Sequence, residues 1–166
     1  MIFLTVGTLF PFDRLVRAVD DAVAAGIVKQ QVFAQIGTTN YVPKNMEYIK
    51  VLDKQSFNKK VADAEYLISH AGIGSITIAL EHNKPLLVMP RMKRYKEHVN
   101  DHQVGTARKF EEFGHLLVAY NAEDLPKRIK ELKNFVPQER KANPHAVADR
   151  IRCFLNSLQH KVGQSK

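Results

Sequence analysis

Short apolar runs alternate with amphipathic segments along the whole chain. Ile2-Phe3-Leu4-Thr5-Val6 is a β-rich apolar run ending at Gly7-Thr8. Leu15, Val16, Val19 and Val23 then recur at helical spacing, with Gly26 as the stop signal. Gln31–Ile36, closed by Gly37, predicts a second strand, and Tyr48–Leu52 a third, shorter one. Ser56 is placed to cap a helix carrying Phe57, Val61 and Ala64 on one face. Tyr66–Ser69 predicts a buried strand, followed by a glycine-bearing turn over His70–Ser75 and a helix over about Ile76–His82. Leu86–Met89 lies between two prolines as a further strand. A basic loop precedes a helix from about Asn100 to Phe113, stopped by Gly114, and Leu116–Ala119 is the last strand. Asn121 and Asn143 are N-cap candidates for closing helices over about 122–158, the second with Pro144 at its first position; 159–166 is left as a flexible tail.

Short, uniformly apolar strands alternating with helices predict a mostly parallel sheet covered on both faces, a single Rossmann-like doubly wound α/β domain. Ligands in such sheets sit beyond the carboxyl ends of the strands. The loops to inspect are therefore Gly7–Phe12, Gly37–Tyr41, His70–Ser75 and Arg91–His102.

Composition narrows the class. With 166 residues, 45% apolar and 25% charged, the chain suits one packed domain spanning 1–166 and excludes disorder, a collagenous chain or a disulfide scaffold. Its single cysteine, Cys153, has no internal partner, so a reducing cytoplasm is the expected compartment. Apolar runs such as Pro85–Pro90 fall short of the ~20 residues that span a bilayer. Met1–Val6 lacks the charged region and cleavage site of a signal peptide. The net charge of +8 suits a polyanionic partner, and equally suits plain solubility.

Three loops carry candidate chemistry. Ser69-His70-Ala71-Gly72-Ile73-Gly74-Ser75 follows a strand and opens a helix, where free N–H groups and the helix dipole receive phosphate. Neither a dinucleotide fingerprint nor a Walker loop is present, and a tight turn capped by Ser75 fits the same residues. Glu97-His98-Val99-Asn100-Asp101-His102-Gln103 is polar at six of seven positions, more than a cap needs, and suits a polyhydroxyl ligand. His98 and His102 stand i,i+4, but without a third ligand or a His-Glu-x-x-His arrangement, so no metal is expected. Arg91, Lys93, Arg94 and Lys96 crowd one loop with Tyr95. A solvated face, a phosphate clamp at Arg91 and Arg94, or contact with anionic lipid all fit. The remaining basic excess is dispersed and no recognition motif appears, so nucleic acid is not an expected partner.

Taken together, Val6-Gly7-Thr8, Gln35-Ile36-Gly37, Ser69–Ser75, Leu80–Pro90 and Glu97–Gln103 resemble the donor-binding half of GT-B glycosyltransferases of family 28. The resemblance is strongest to the PssE-type subunits of exopolysaccharide and capsule synthesis. Residues 90–103, Pro-Arg-x-x-x-Tyr-x-Glu-His-Val-Asn-Asp-His-Gln, are similar to the capsular β-1,4-galactosyltransferases. It extends to the small subunit of the transferase that makes chitobiosyl-diphosphodolichol, and covers about residues 1–120.

The resemblance implies a UDP-sugar donor, no further cofactor, and inverting transfer of a hexose to a lipid-linked diphosphate sugar. His70 would meet the leaving diphosphate. Gly7, Thr8, Gly37, Gly72, Ile73, Gly74 and Ser75 would hold UDP, and Asp101, His102 and Gln103 the donor sugar. The general base and acceptor cleft would lie on a membrane-anchored partner subunit, keeping this chain at the inner face of the plasma membrane. One position departs from the family. Larger relatives carry a ribose-binding glutamate seven residues before the proline equivalent to Pro85; here that residue is Ile78. Glu81, three residues on, points about 300° further round the helix. The alternative is a non-catalytic UDP-sugar-binding or regulatory subunit.

Overall fold

A computed structural model describes residues 1–139 and 144–163. Six parallel strands form one sheet: β1 (Ile2–Thr5), β2 (Val32–Gln35), β3 (Glu47–Ile49), β4 (Tyr66–His70), β5 (Leu86–Met89) and β6 (Leu117–Val118). Their spatial order is β3-β2-β1-β4-β5-β6. The chain winds outward from β1 to β3 and then crosses back to β4, so β1 and β4 flank the switch point.

Side chains alternate across the sheet because successive residues of a strand face opposite ways. Ile2, Leu4, Ala34, Ile68 and Leu87 face one layer, packing on α1 (Asp13–Ala24) and α5 (Leu125–Leu132) through Leu15, Val16, Val19, Leu125 and Ile129. Phe3, Leu67, Leu86 and Val88 face the other. There they meet α2 (Lys54–Asp63), α3 (Ile73–Glu81) and α4 (His102–Glu112) through Val61, Ile76, Ala79 and Ala107.

Element boundaries differ from the sequence reading where backbone hydrogen bonding decides them. Asp53, not Ser56, caps α2: its carboxylate accepts the Ser56 N–H at 3.0 Å, so the helix starts before Ser56. Helix α3 begins three residues early because Gly72 is its N-cap, with Ile76 N–H donating back to the Gly72 carbonyl. Ser75 therefore lies inside the first turn rather than capping it. Asn121 does cap, through a reciprocal box with Asp124, but first onto a 3-10 turn (Ala122–Asp124) that runs into α5. Asn143 lies outside the described residues. Helix α6 (Pro144–Gly163) takes in positions that the sequence reading leaves in the tail. On it Ile151, Phe154 and Leu155 each keep more than half their surface exposed. Val147 and Leu158, which stand at helical spacing with them in the sequence, lie outside the residues whose side chains are described. No helix among the described residues is long and apolar enough to cross a membrane.

Candidate functional site

A cleft of about 600 Å³ opens beyond the carboxyl ends of β1 and β4, at the switch point. Its floor is His70, the last residue of β4. A Cβ on Gly72 would come within 2.4 Å of the imidazole Nε2, and one on Gly7 within 3.2 Å of Cε1. Gly72 has an ordinary backbone conformation (φ −82°), so glycine there answers a need for space alone. Gly7, at φ +75°, answers both that need and the backbone's. The ring's Nδ1 lies 3.2 Å from the Ser69 hydroxyl. Burial, then the neighbouring Arg91 charge, pull the His70 pKa down to about 4, so the imidazole is neutral at neutral pH.

Beside it starts α3. The N–H groups of Ile73, Gly74 and Ser75 precede the first intrahelical bond and have no partner within the helix. With the helix dipole they make this helix start the place in the cleft where negative charge would be most favoured. Gly74 and Ser75 line the cleft.

Arg91 and Gln103 make the third side. Arg91 is 3% exposed and does not reach lipid: its guanidinium donates to the carbonyls of Val6 and Phe10, both at 2.7 Å, and covers the Phe12 ring. The correction is physical, since both acceptors belong to the β1–α1 loop and draw the side chain inward. Arg91 Nε has no hydrogen-bond partner among the described residues, and neither does the buried Nδ1 of His98; both residues line the cleft. Gln103 is buried and accepts the Arg91 N–H at 3.1 Å.

The remaining predicted positions separate. Thr8 lines the cleft. Gly37 does not: a Cβ there would meet the Gly7 carbonyl at 2.4 Å, so Gly37 supports the β1–α1 loop from behind. Asp101 accepts the Lys93 N–H at 2.7 Å, outside the cleft lining. His102 is exposed, bonded to Asn100 and edge-on to His98, which occupies the cleft wall instead. Arg94 is exposed and donates to Asn121. The loop is fixed by Glu97, whose carboxylate takes both forks of Arg14 at 2.8 Å and the Met92 N–H at 3.0 Å.

One wall was not anticipated. Leu52, Lys54 and Phe57, at the end of β3 and start of α2, line the cleft together with Ile78. A polar relay ties this wall to the centre. Leu52 N–H donates to Gln35, the Gln35 amide to Thr5, and the Thr5 hydroxyl accepts the Gly7 N–H. The loop after β3 obeys the same strand-end rule as the other four and was the available signal. Among the described residues no aspartate or glutamate lines the cleft.

The model of the glycosyltransferase family 28 C-terminal domain matches residues 1–153. Among curated proteins, the UDP-N-acetylglucosamine transferase subunit ALG13 of Mus musculus is 35% identical over 123 residues, and that of Homo sapiens 32% over 124. Each match covers 69% of this chain and only 10% of the relative's length. An NMR structure of ALG13 superposes with a TM-score of 0.57 at 21% identity, over 90% of this chain and 93% of that one. The glycotransferase of kitacinnamycin gives 0.58 at 19%, over 96% of this chain and 39% of its own. These two likenesses concern the fold, here one half of a GT-B architecture. The family match rests on the sequence itself, and by it the chain belongs to the glycosyltransferase family 28 C-terminal domain family.

Proposed function

We propose that this chain is the donor-binding catalytic subunit of a two-chain hexosyltransferase, moving a hexose from a UDP-sugar to a lipid-linked diphosphate sugar in exopolysaccharide or capsule synthesis. The observation that carries the reading is the cleft at the β1–β4 switch point. It combines an uncapped helix start and a neutral His70 with, among the described residues, two buried nitrogens without partners and no carboxylate in the lining. Such a site favours an anion, and the name of the curated relatives supports UDP as its carrier.

The acceptor hydroxyl attacks the anomeric carbon as the bond to the diphosphate oxygen breaks, and UDP leaves with the electron pair. The negative charge that grows on UDP meets the N–H groups of Ile73, Gly74 and Ser75 and a hydrogen bond from neutral His70. The hydroxyl proton needs a base, and no aspartate or glutamate of this cleft supplies one. A membrane-anchored partner therefore brings both base and acceptor to the cytoplasmic face, and the exposed Ile151, Phe154 and Leu155 face of α6 suits its docking.

Ile78 in the cleft wall favours a second reading, a UDP-sugar-binding subunit without a transfer role. Co-expression with a membrane-anchored candidate, then a transfer assay on a lipid-linked acceptor, separates the two. UDP-sugar consumption only with both chains supports the first. UDP binding without transfer in any pairing supports the second, and transfer by this chain alone refutes the two-chain mechanism.

A further inference from the structure

We infer that the chain docks directly on an anionic lipid bilayer, without a protein partner, through the tips of its β1–α1 and β5–α4 loops. Leu9 is 83% exposed and Val99 70%, the values of side chains that find no cover in the fold. The two tips are neighbours: Phe10 and Val99 line one shallow depression together with Lys93 and Lys96. Arg91 holds the first loop by the Phe10 carbonyl and Arg14 holds the second through Glu97, so the tips stand on a fixed base.

Lys93 and Lys96 line the depression beside these apolar tips, and a third exposed cation, Arg94, stands between them in the chain. Of the acids in the same loop, Glu97 is buried against Arg14, and the exposed Asp101, which accepts the Lys93 N–H, is outnumbered by the three cations. Isolated apolar tips ringed by lysines form an interfacial membrane pattern: the apolar groups enter the acyl boundary while the cations meet anionic headgroups. A protein interface selects differently, because its buried centre is depleted in lysine. The charge pattern thus favours lipid over a protein. This inference uses the loop surface alone and does not depend on the donor reading.

The chain contains no tryptophan, so a single introduced one reports its own surroundings. The experiment places it at Val99→Trp and, as a control on the far end of α4, at Phe113→Trp, a position that is also exposed. Each full-length variant is mixed with phosphatidylglycerol/phosphatidylcholine vesicles, with and without brominated chains, and with phosphatidylcholine vesicles. The expected result is a blue shift and bromine quenching for Val99→Trp on the anionic vesicles only, and neither for Phe113→Trp. Lys93→Glu with Lys96→Glu should lower partitioning by about thirtyfold or more, with an unchanged circular dichroism spectrum showing that the fold is kept. Three outcomes overturn the inference: no shift at Val99→Trp, an equal response at Phe113→Trp, or vesicle binding only when a protein partner is present.

Discussion

The imidazole of His70 occupies the space that any side chain at Gly72 would need, since a Cβ there would lie 2.4 Å from Nε2. Gly72→Ala should therefore act through His70. On the proposed function, His70→Ala removes one hydrogen bond to the UDP diphosphate, worth about 1.5–3 kcal/mol, and should weaken UDP binding roughly ten- to a hundred-fold. Gly72→Ala should approach that loss, and the double variant should be no worse than His70→Ala alone. Calorimetric affinities that add fully would separate the two residues.

Burial, followed by the Arg91 charge, sets the pH behaviour of His70. Its pKa falls from 6.5 to about 4, so the unfolded chain takes up a proton that the folded chain refuses between those values. Stability should decrease as pH drops through that window, and His70→Gln should flatten the dependence. In NMR titrations the His70 ring resonances should stay constant from pH 8 to 5; a midpoint near 6.5 would contradict a buried neutral ring.

Arg91 positions rather than docks. Its fork holds the Val6 and Phe10 carbonyls, and a lysine cannot reproduce two such directed bonds. Arg91→Lys should lower the melting temperature and weaken UDP binding by loosening the β1–α1 loop. Vesicle affinity should fall far less than it does on Lys93→Glu with Lys96→Glu, because the Arg91 charge itself is buried.

The Arg14–Glu97 pair is nearly enclosed, and breaking one half leaves the other charge without its counter-ion. Arg14→Ala should cost about 3 kcal/mol or more in urea unfolding, whereas Arg14→Met with Glu97→Gln should recover part of the loss. Equal costs for the single and double variants would show that the charge itself is unimportant.

Asp20 is fully buried beneath the loop after β2. Burial alone would raise its pKa, but bonds from the Lys44 and Asn45 N–H groups, the Tyr41 hydroxyl and the Asn45 amide outweigh it and lower the value below 3.8. Its stabilisation is present above that pH and is lost as acid protonates the folded-state carboxylate. Asp20→Ala should cost about 2–4 kcal/mol by orphaning those donors, and its acid-unfolding curve should be shallower than that of the parent chain.

The strands and most helices were legible because their apolar residues follow periods of 2 and 3.6, and β5 falls within the residues its prolines bracket. The turn from β4 into α3 was legible because Gly72 and Gly74 stand between an apolar run and a helical one. Helix starts were less so, since a cap depends on which side chain reaches a free N–H, and Asp53 reached Ser56 first. Arg91 read as a surface cation because its acceptors, Val6 and Phe10, lie more than 80 positions away. Glu97 belonged to a polar cluster in sequence, yet its partner Arg14 is 83 residues distant. His98 and His102 share a helical spacing, and only the packing of Phe10 on His98, at 5.2 Å, decides which of them enters the wall.

Arg91, Arg14 and the Leu52–Gln35–Thr5–Gly7 relay join the loops after β1, β3 and β5 and the end of β2 into one body before any ligand arrives. Their ordering entropy is taken up during folding, and little of it remains to oppose association. A ligand entering such a cleft meets walls that are already tied together, so its arrival should follow diffusion and its residence time should set its affinity. Discrimination among donors then comes from how long each stays, and variants that loosen the three ties should shorten that stay without slowing entry.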